Sequence, residues 1–86
     1  MRISQKMVQP IQTAFVMVNC EYGHESGVIE QLRSIEGVKE TIRTNGPYDI
    51  LCSIEVSTIE SLKEVIEQKI RKTPHTISTT TLIKSH

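Results

Sequence analysis

The chain has 86 residues, with 10 Lys+Arg balancing 10 Asp+Glu, which admits one domain and no more. A domain of this size buries only roughly 60–65% of its unfolded surface, so a single copy is marginal and association with a second copy is expected. Hydrophobic residues at 37% and charged residues at 23% exclude a disordered chain, and zero net charge argues against a nucleic-acid domain, which needs a basic surface to neutralise phosphates.

Residues 1–10 mix polar and apolar side chains and read as an N-terminal extension ahead of a domain at 11–86. They lack the apolar core of a secretory signal, and no apolar run approaches the ~20 residues of a membrane span, so a cytoplasmic protein is expected. Residues 11–20 (IQTAFVMVNC) read as a strand. Phe15, Val16, Met17 and Val18 are apolar in succession, the mark of a strand covered on both faces. Glu21-Tyr22-Gly23 breaks the run, and residues 24–35 follow as a helix with Val28, Leu32 and Ile35 on one stripe and Ile29 beside them. Gly37 stops that helix.

Residues 38–44 alternate as a second strand, and Asn45-Gly46-Pro47 is turn chemistry, so the third strand, 48–56, folds back as a hairpin. Its Ile50, Cys52, Ile54 and Val56 share one face, while Asp49, Leu51, Ser53 and Glu55 share the other. Ser57 or Thr58 can cap a second helix whose apolar stripe is read as Leu62, Val65, Ile66, Lys69 and Ile70. Thr73-Pro74-His75 ends it, and the β-branched stretch 76–84 (TISTTTLIK) is the fourth strand. Cys20 and Cys52 sit in apolar runs without CxxC spacing and read as reduced core residues.

The order β-α-β-β-α-β is the ferredoxin-like α+β arrangement, a four-stranded antiparallel sheet with two helices on one face. Two helices cover one face only. The first strand is too apolar for its other side to stay wet, so the open face, with Phe15, Met17 and Leu51, is expected to pack against the sheet of a second copy.

This topology brings three segments to one end of the sheet: Glu21, Tyr22 and His24; Asn45 to Asp49; and Thr73 to Thr76. Asp49 is the only aspartate in the chain. A carboxylate beside a Gly-Pro turn can hold a small zwitterion; the plainer alternative is that Asp49 satisfies turn N–H groups. His24, His75 and His86 have no metal-ligand spacing, so no metal or other cofactor is expected. No nucleophile, base and orienting group assemble from local motifs.

The opening AFVMVNC, the passage IEGVKETIRTNGPYDILCSIEV and the closing IRKTPHTISTTTLIK resemble the effector-binding (RAM) domain of the Lrp/AsnC family of transcriptional regulators. Asn45-Gly46-Pro47-Tyr48-Asp49 is similar to that family's G-x-Y-D turn, and Ser78-Thr79-Thr80-Thr81 to its Ser/Thr-rich last strand. Pro47 departs from the acidic or polar residue common there, stiffening the turn and removing one N–H. The resemblance implies a dimeric α/β barrel assembling into higher oligomers, without the helix-turn-helix domain that generally precedes this one. It also implies a small effector, mostly an amino acid, bound near the turn. Asn45, Gly46, Pro47, Tyr48 and Asp49, with hydroxyls from Thr79, Thr80 or Thr81, are then the candidate ligand-binding residues. The expectation is a non-enzymatic sensing module that co-assembles with full-length regulators and does not bind nucleic acid or membrane itself. A small dimeric α/β-barrel enzyme of monooxygenase type and a purely structural assembly adaptor are the alternatives.

Overall fold

The apolar run around Phe15 becomes β1 (Gln12–Cys20), an interior strand hydrogen-bonded on both sides. The computed structural model describes residues 11–83; the expected extension 1–10, Lys84 and His86 lie outside them. After β1 come α1 (Glu25–Arg33), β2 (Val38–Arg43), β3 (Ile50–Val56), α2 (Ile59–Glu64, continuing as a π-helical segment Val65–Ile70) and β4 (Thr76–Ile83). The sheet order is β2-β3-β1-β4 with every pair antiparallel, the ferredoxin-like α+β fold expected from the element order.

Register assigns the faces, because directly opposed residues in an antiparallel pair point the same way. Val16 lies opposite Cys52 on one side and Thr81 on the other; Met17 lies opposite Leu51 and Thr80. One face therefore carries Ala14, Val16, Val18, Cys20, Ile50, Cys52 and Ile54, all buried. Against them pack Val28 and Leu32 of α1, and Leu62, Val65, Ile66 and Ile70 of the second helix. The other face carries Phe15, Met17, Leu51, Ile42 and Leu82, with Phe15 39%, Ile42 46% and Leu82 57% exposed.

Local chemistry sets the helix ends. The Thr58 side chain accepts from the Ser61 N–H at 3.0 Å, capping α2. The sequence reading put Lys69 on the apolar stripe, but it is exposed. The Arg71 N–H reaches back five residues to the Ile66 carbonyl at 3.0 Å, and the widened turn carries Ile70 into the core and Lys69 out to water. Cys20 and Cys52 are buried and unpaired; burial pushes both thiols above their ordinary range, keeping them neutral. The Thr41 hydroxyl, itself buried, contacts the Cys52 Sγ at 3.7 Å.

Gly37 links α1 to β2 at φ +100°, and a Cβ there would lie 2.9 Å from Val56 Cγ1 and 3.3 Å from Val65 Cγ2. Gly27, inside α1, faces open space. The same substitution should therefore have opposite signs at the two sites. Gly37→Ala is expected to destabilise by about 1–3 kcal/mol through strain and overpacking, and Gly27→Ala to stabilise by about 0.5–1 kcal/mol. Urea unfolding of the two variants measures both.

Candidate functional site

Where β3 begins, the chain is pinned to β1 by Asp49. Its N–H donates to the Val18 carbonyl and to Asn19 Oδ1, each at 3.1 Å, and its Oδ2 accepts from the Cys20 N–H at 3.0 Å. The plainer role expected for Asp49, satisfying a backbone donor, is thus present, but the donor belongs to β1 rather than to the turn. A carboxylate offers about four lone-pair sites, so that one bond leaves acceptor capacity for a ligand.

The turn is closed behind Asp49. The Thr44 N–H donates to the Asp49 carbonyl at 2.9 Å, and the Thr44 hydroxyl donates to the Tyr48 carbonyl. Asn45, Gly46 and Pro47 are exposed, while Tyr48 and Asp49 are half-buried. Gly46 sits at φ +143°, open to glycine and strained for other residues.

The threonines of β4 do not share a surface. Thr79 opposes Val18 and Thr81 opposes Val16 on the helix-covered side, whereas Thr80 opposes Met17 on the open face. Strand β1 separates all three from the turn within one chain. Periodicity could not assign these faces, because six β-branched or hydroxyl residues in succession, Thr76 to Thr81, carry no apolar alternation.

A second grouping lies beside Asp49 at the same end of the sheet. The Glu21 N–H donates to the His75 carbonyl at 2.9 Å, and the His24 N–H donates to the Glu21 carbonyl at 3.0 Å. The imidazoles of His24 and His75 stack with centroids 3.7 Å apart, and His75 Nδ1 lies 3.1 Å from Glu21 Oε1. Glu25 adds a carboxylate, paired with Arg43 at 3.6 Å. Besides burial, the charges of Asp49, Glu25 and Glu21 hold the Cys20 thiol up, while Arg43 opposes them. The sequence reading gathered these segments at one edge, but without metal spacing it gave the two histidines no joint role.

The larger concavity, about 800 Å³, lies elsewhere. It runs between the end of α1 and the second helix, lined by residues including Gly37, Glu55, Ser61 and Lys69, and includes neither the turn nor the β4 threonines.

The family model for the Lrp/AsnC ligand binding domain matches residues 13–85. The chain belongs to that Lrp/AsnC family. Among solved structures it is similar to FFRP-DM1, at 35% identity and a TM-score of 0.82, covering 86% of this chain and 99% of that one. It is equally similar to the hypothetical protein PHS023 from Pyrococcus horikoshii, at 35% identity and a TM-score of 0.81, covering 87% and 90%. The complex of the transcriptional regulator NMB0573 with L-Met, from Neisseria meningitidis, shares the fold at 11% identity and a TM-score of 0.77, covering 100% of this chain and 57% of that one. A comparison with curated proteins finds no match. The Lrp/AsnC domain is a regulatory ligand-binding module, and this chain is one. Among the described residues no helix is long and apolar enough to cross a membrane.

Because Asp49 holds β1 as well as its own turn, Asp49→Ala should lower unfolding stability by about 1–3 kcal/mol, the cost of stripping a partner from a half-buried backbone donor. Asp49→Asn, which keeps an acceptor oxygen, should cost less than half as much. Chemical denaturation of the two variants tests the order.

Proposed function

We propose that this Lrp/AsnC domain is a non-enzymatic, cytoplasmic sensor of a free amino acid, bound at the Asn45–Asp49 turn where two copies meet. The supporting observation is Asp49, whose carboxylate is fixed in place by the Cys20 N–H yet retains acceptor capacity. An amino acid presents an ammonium group, which a carboxylate holds by a charge-assisted hydrogen bond. The exposed backbone around Gly46 is open to the ligand's other end. The L-Met complex of the Neisseria regulator supports an amino acid as the ligand class. Since β1 separates the turn from Thr79, Thr80 and Thr81 within one chain, any hydroxyl they offer the same ligand comes from another copy.

Assembly is the second part of the reading. Phe15, Ile42 and Leu82, with Met17 and Leu51 between them, form an apolar sheet face that a second copy covers face to face, giving the dimeric α/β barrel. Full-length regulators of the same family are the proposed partners, and nucleic acid is not bound by this chain directly.

A thermal-shift scan of the twenty amino acids should single out one or a few ligands. At 100 times its dissociation constant a ligand adds about 2.7 kcal/mol of stability. With the best of them, Asp49→Asn should keep the fold and lose roughly 1.5–3 kcal/mol of binding in calorimetric titration, the scale of a hydrogen bond to a charged group. Equal affinities would return Asp49 to a purely structural role.

Light scattering at micromolar concentration should give at least twice the 9.7 kDa chain mass. Phe15→Lys, which puts a charge in the middle of the open face, should shift the population toward monomer. A wild-type mass of one chain refutes face-to-face pairing.

A further inference from the structure

Beyond the amino-acid reading, and independent of it, we propose that Glu21, His24 and His75 form a surface site for one borderline divalent transition ion, with Zn²⁺ as its type. One ligand atom from each of the three lies within 4.8 Å of the others. Glu21 Oε1 and His75 Nδ1, at 3.1 Å, already stand at the ~3.3 Å separation of neighbouring ligands around a tetrahedral ion with bonds of about 2.0–2.1 Å. The two imidazoles are stacked, so the His24 ring has to turn out of the stack to complete the set, and all three side chains are exposed.

The backbone holds the three residues together before any ion arrives. Glu21 donates to the carbonyl of His75, and His24 donates to the carbonyl of Glu21, so direct main-chain bonds connect all three positions. His75 is the one non-glycine residue at positive φ among those described, at +69°. That conformation costs a branched or bulky side chain about 1–2 kcal/mol and here brings His75 beside His24.

The donor set selects the ion. Two imidazoles and one carboxylate suit Zn²⁺, Co²⁺, Ni²⁺ and Cu²⁺, whereas Mg²⁺ and Ca²⁺ prefer all-oxygen shells. Three protein ligands leave the fourth position to water, as in open zinc sites. Nearby charge favours a cation: Glu25 and Asp49 stand at the same end of the sheet, and Arg43 is engaged with Glu25. A stacked histidine pair bonded to a glutamate is the competing account of the same geometry, and it makes no demand for metal.

Calorimetric titration of the untagged chain with Zn²⁺, with no amino acid present, decides between them. The expected result is one ion per chain, no comparable heat with Mg²⁺, and release on acidification, because a protonated imidazole cannot ligate. His24→Gln and His75→Asn should each weaken Zn²⁺ roughly tenfold or more, on the scale of lost metal-site partners. Asparagine is chosen at His75 because it tolerates the left-handed backbone. His86→Gln should leave binding unchanged. Zn²⁺ should raise the melting temperature of the parent chain and not of His24→Gln. With Co²⁺, weak visible bands without a thiolate charge-transfer band are expected from nitrogen and oxygen ligands. A thiolate band, one ion per two chains, or an affinity unmoved by both histidine variants overturns the proposal.

Discussion

Everything in this domain follows from β1 being apolar on both sides while only one side has helices to meet it. Val16, Val18, Ala14 and Cys20 alternate with Phe15, Met17 and Asn19, and the strand is paired along its length to β3 and β4. The helix-side set reaches full burial. The other set, continued by Leu51, Ile42 and Leu82, leaves an apolar face too continuous to be incidental surface. Among the described residues no second layer covers that face, which is the observation behind the proposed pairing of two copies.

The second constraint sits at the end of the sheet where β1 runs out. Past Val18 the β1–β3 ladder stops, leaving the Cys20 N–H without a strand partner, and Asp49 supplies the missing acceptor from its side chain. That bond ties the β2–β3 turn to the exit of β1, and the Glu21 to His75 bond ties the same exit to the start of β4. Three chain crossings are thus joined through consecutive residues, Cys20 and Glu21. The Glu21, His24 and His75 side chains beside them are exposed, and main-chain bonds, not buried packing, hold their positions.

Much of this was legible in the sequence, for reasons that differ by element. The third strand alternates cleanly, so its two faces read directly as Ile50, Cys52, Ile54 against Leu51, Ser53. The capping role of Thr58 follows from local chemistry and holds, whereas α1 ends at Arg33 with Ser34 as its cap, short of the stop expected at Gly37. The faces of β4 were not legible: hydroxyl and β-branched residues satisfy strand propensity on either side, and only pairing with β1 separates Thr80 from Thr79 and Thr81. Lys69 was misplaced because an α-helical period was applied across a π-helical turn, whose five-residue hydrogen bond no residue pattern announces. At Asp49 the sequence offers either a ligand-holding carboxylate or an acceptor for turn N–H groups; the structure shows an acceptor role, with its donor on β1. Its bond to Cys20 is a long-range contact, which spacing along the chain cannot reveal.

On the proposed reading, the same two constraints link ligand binding to assembly. A domain this small has little stability in reserve, so in the proposed dimer, where a second copy covers the open face, folding and assembly are one equilibrium. A ligand seated where copies meet binds the assembled state in preference, and by linkage assembly raises its affinity by the same factor. The sheet end is suited to report such a ligand. Asp49, fixed through Cys20, sits at the terminus of the strand whose other residues form the open face: Asn19, Met17 and Phe15 follow one another along that face from the same end. In the proposed dimer, a shift in how the turn is held acts on the strand that carries the open face, because Asp49 is bonded to it directly. Packed elements of this kind respond by moving between discrete arrangements instead of deforming continuously, which is the property a binary sensor requires.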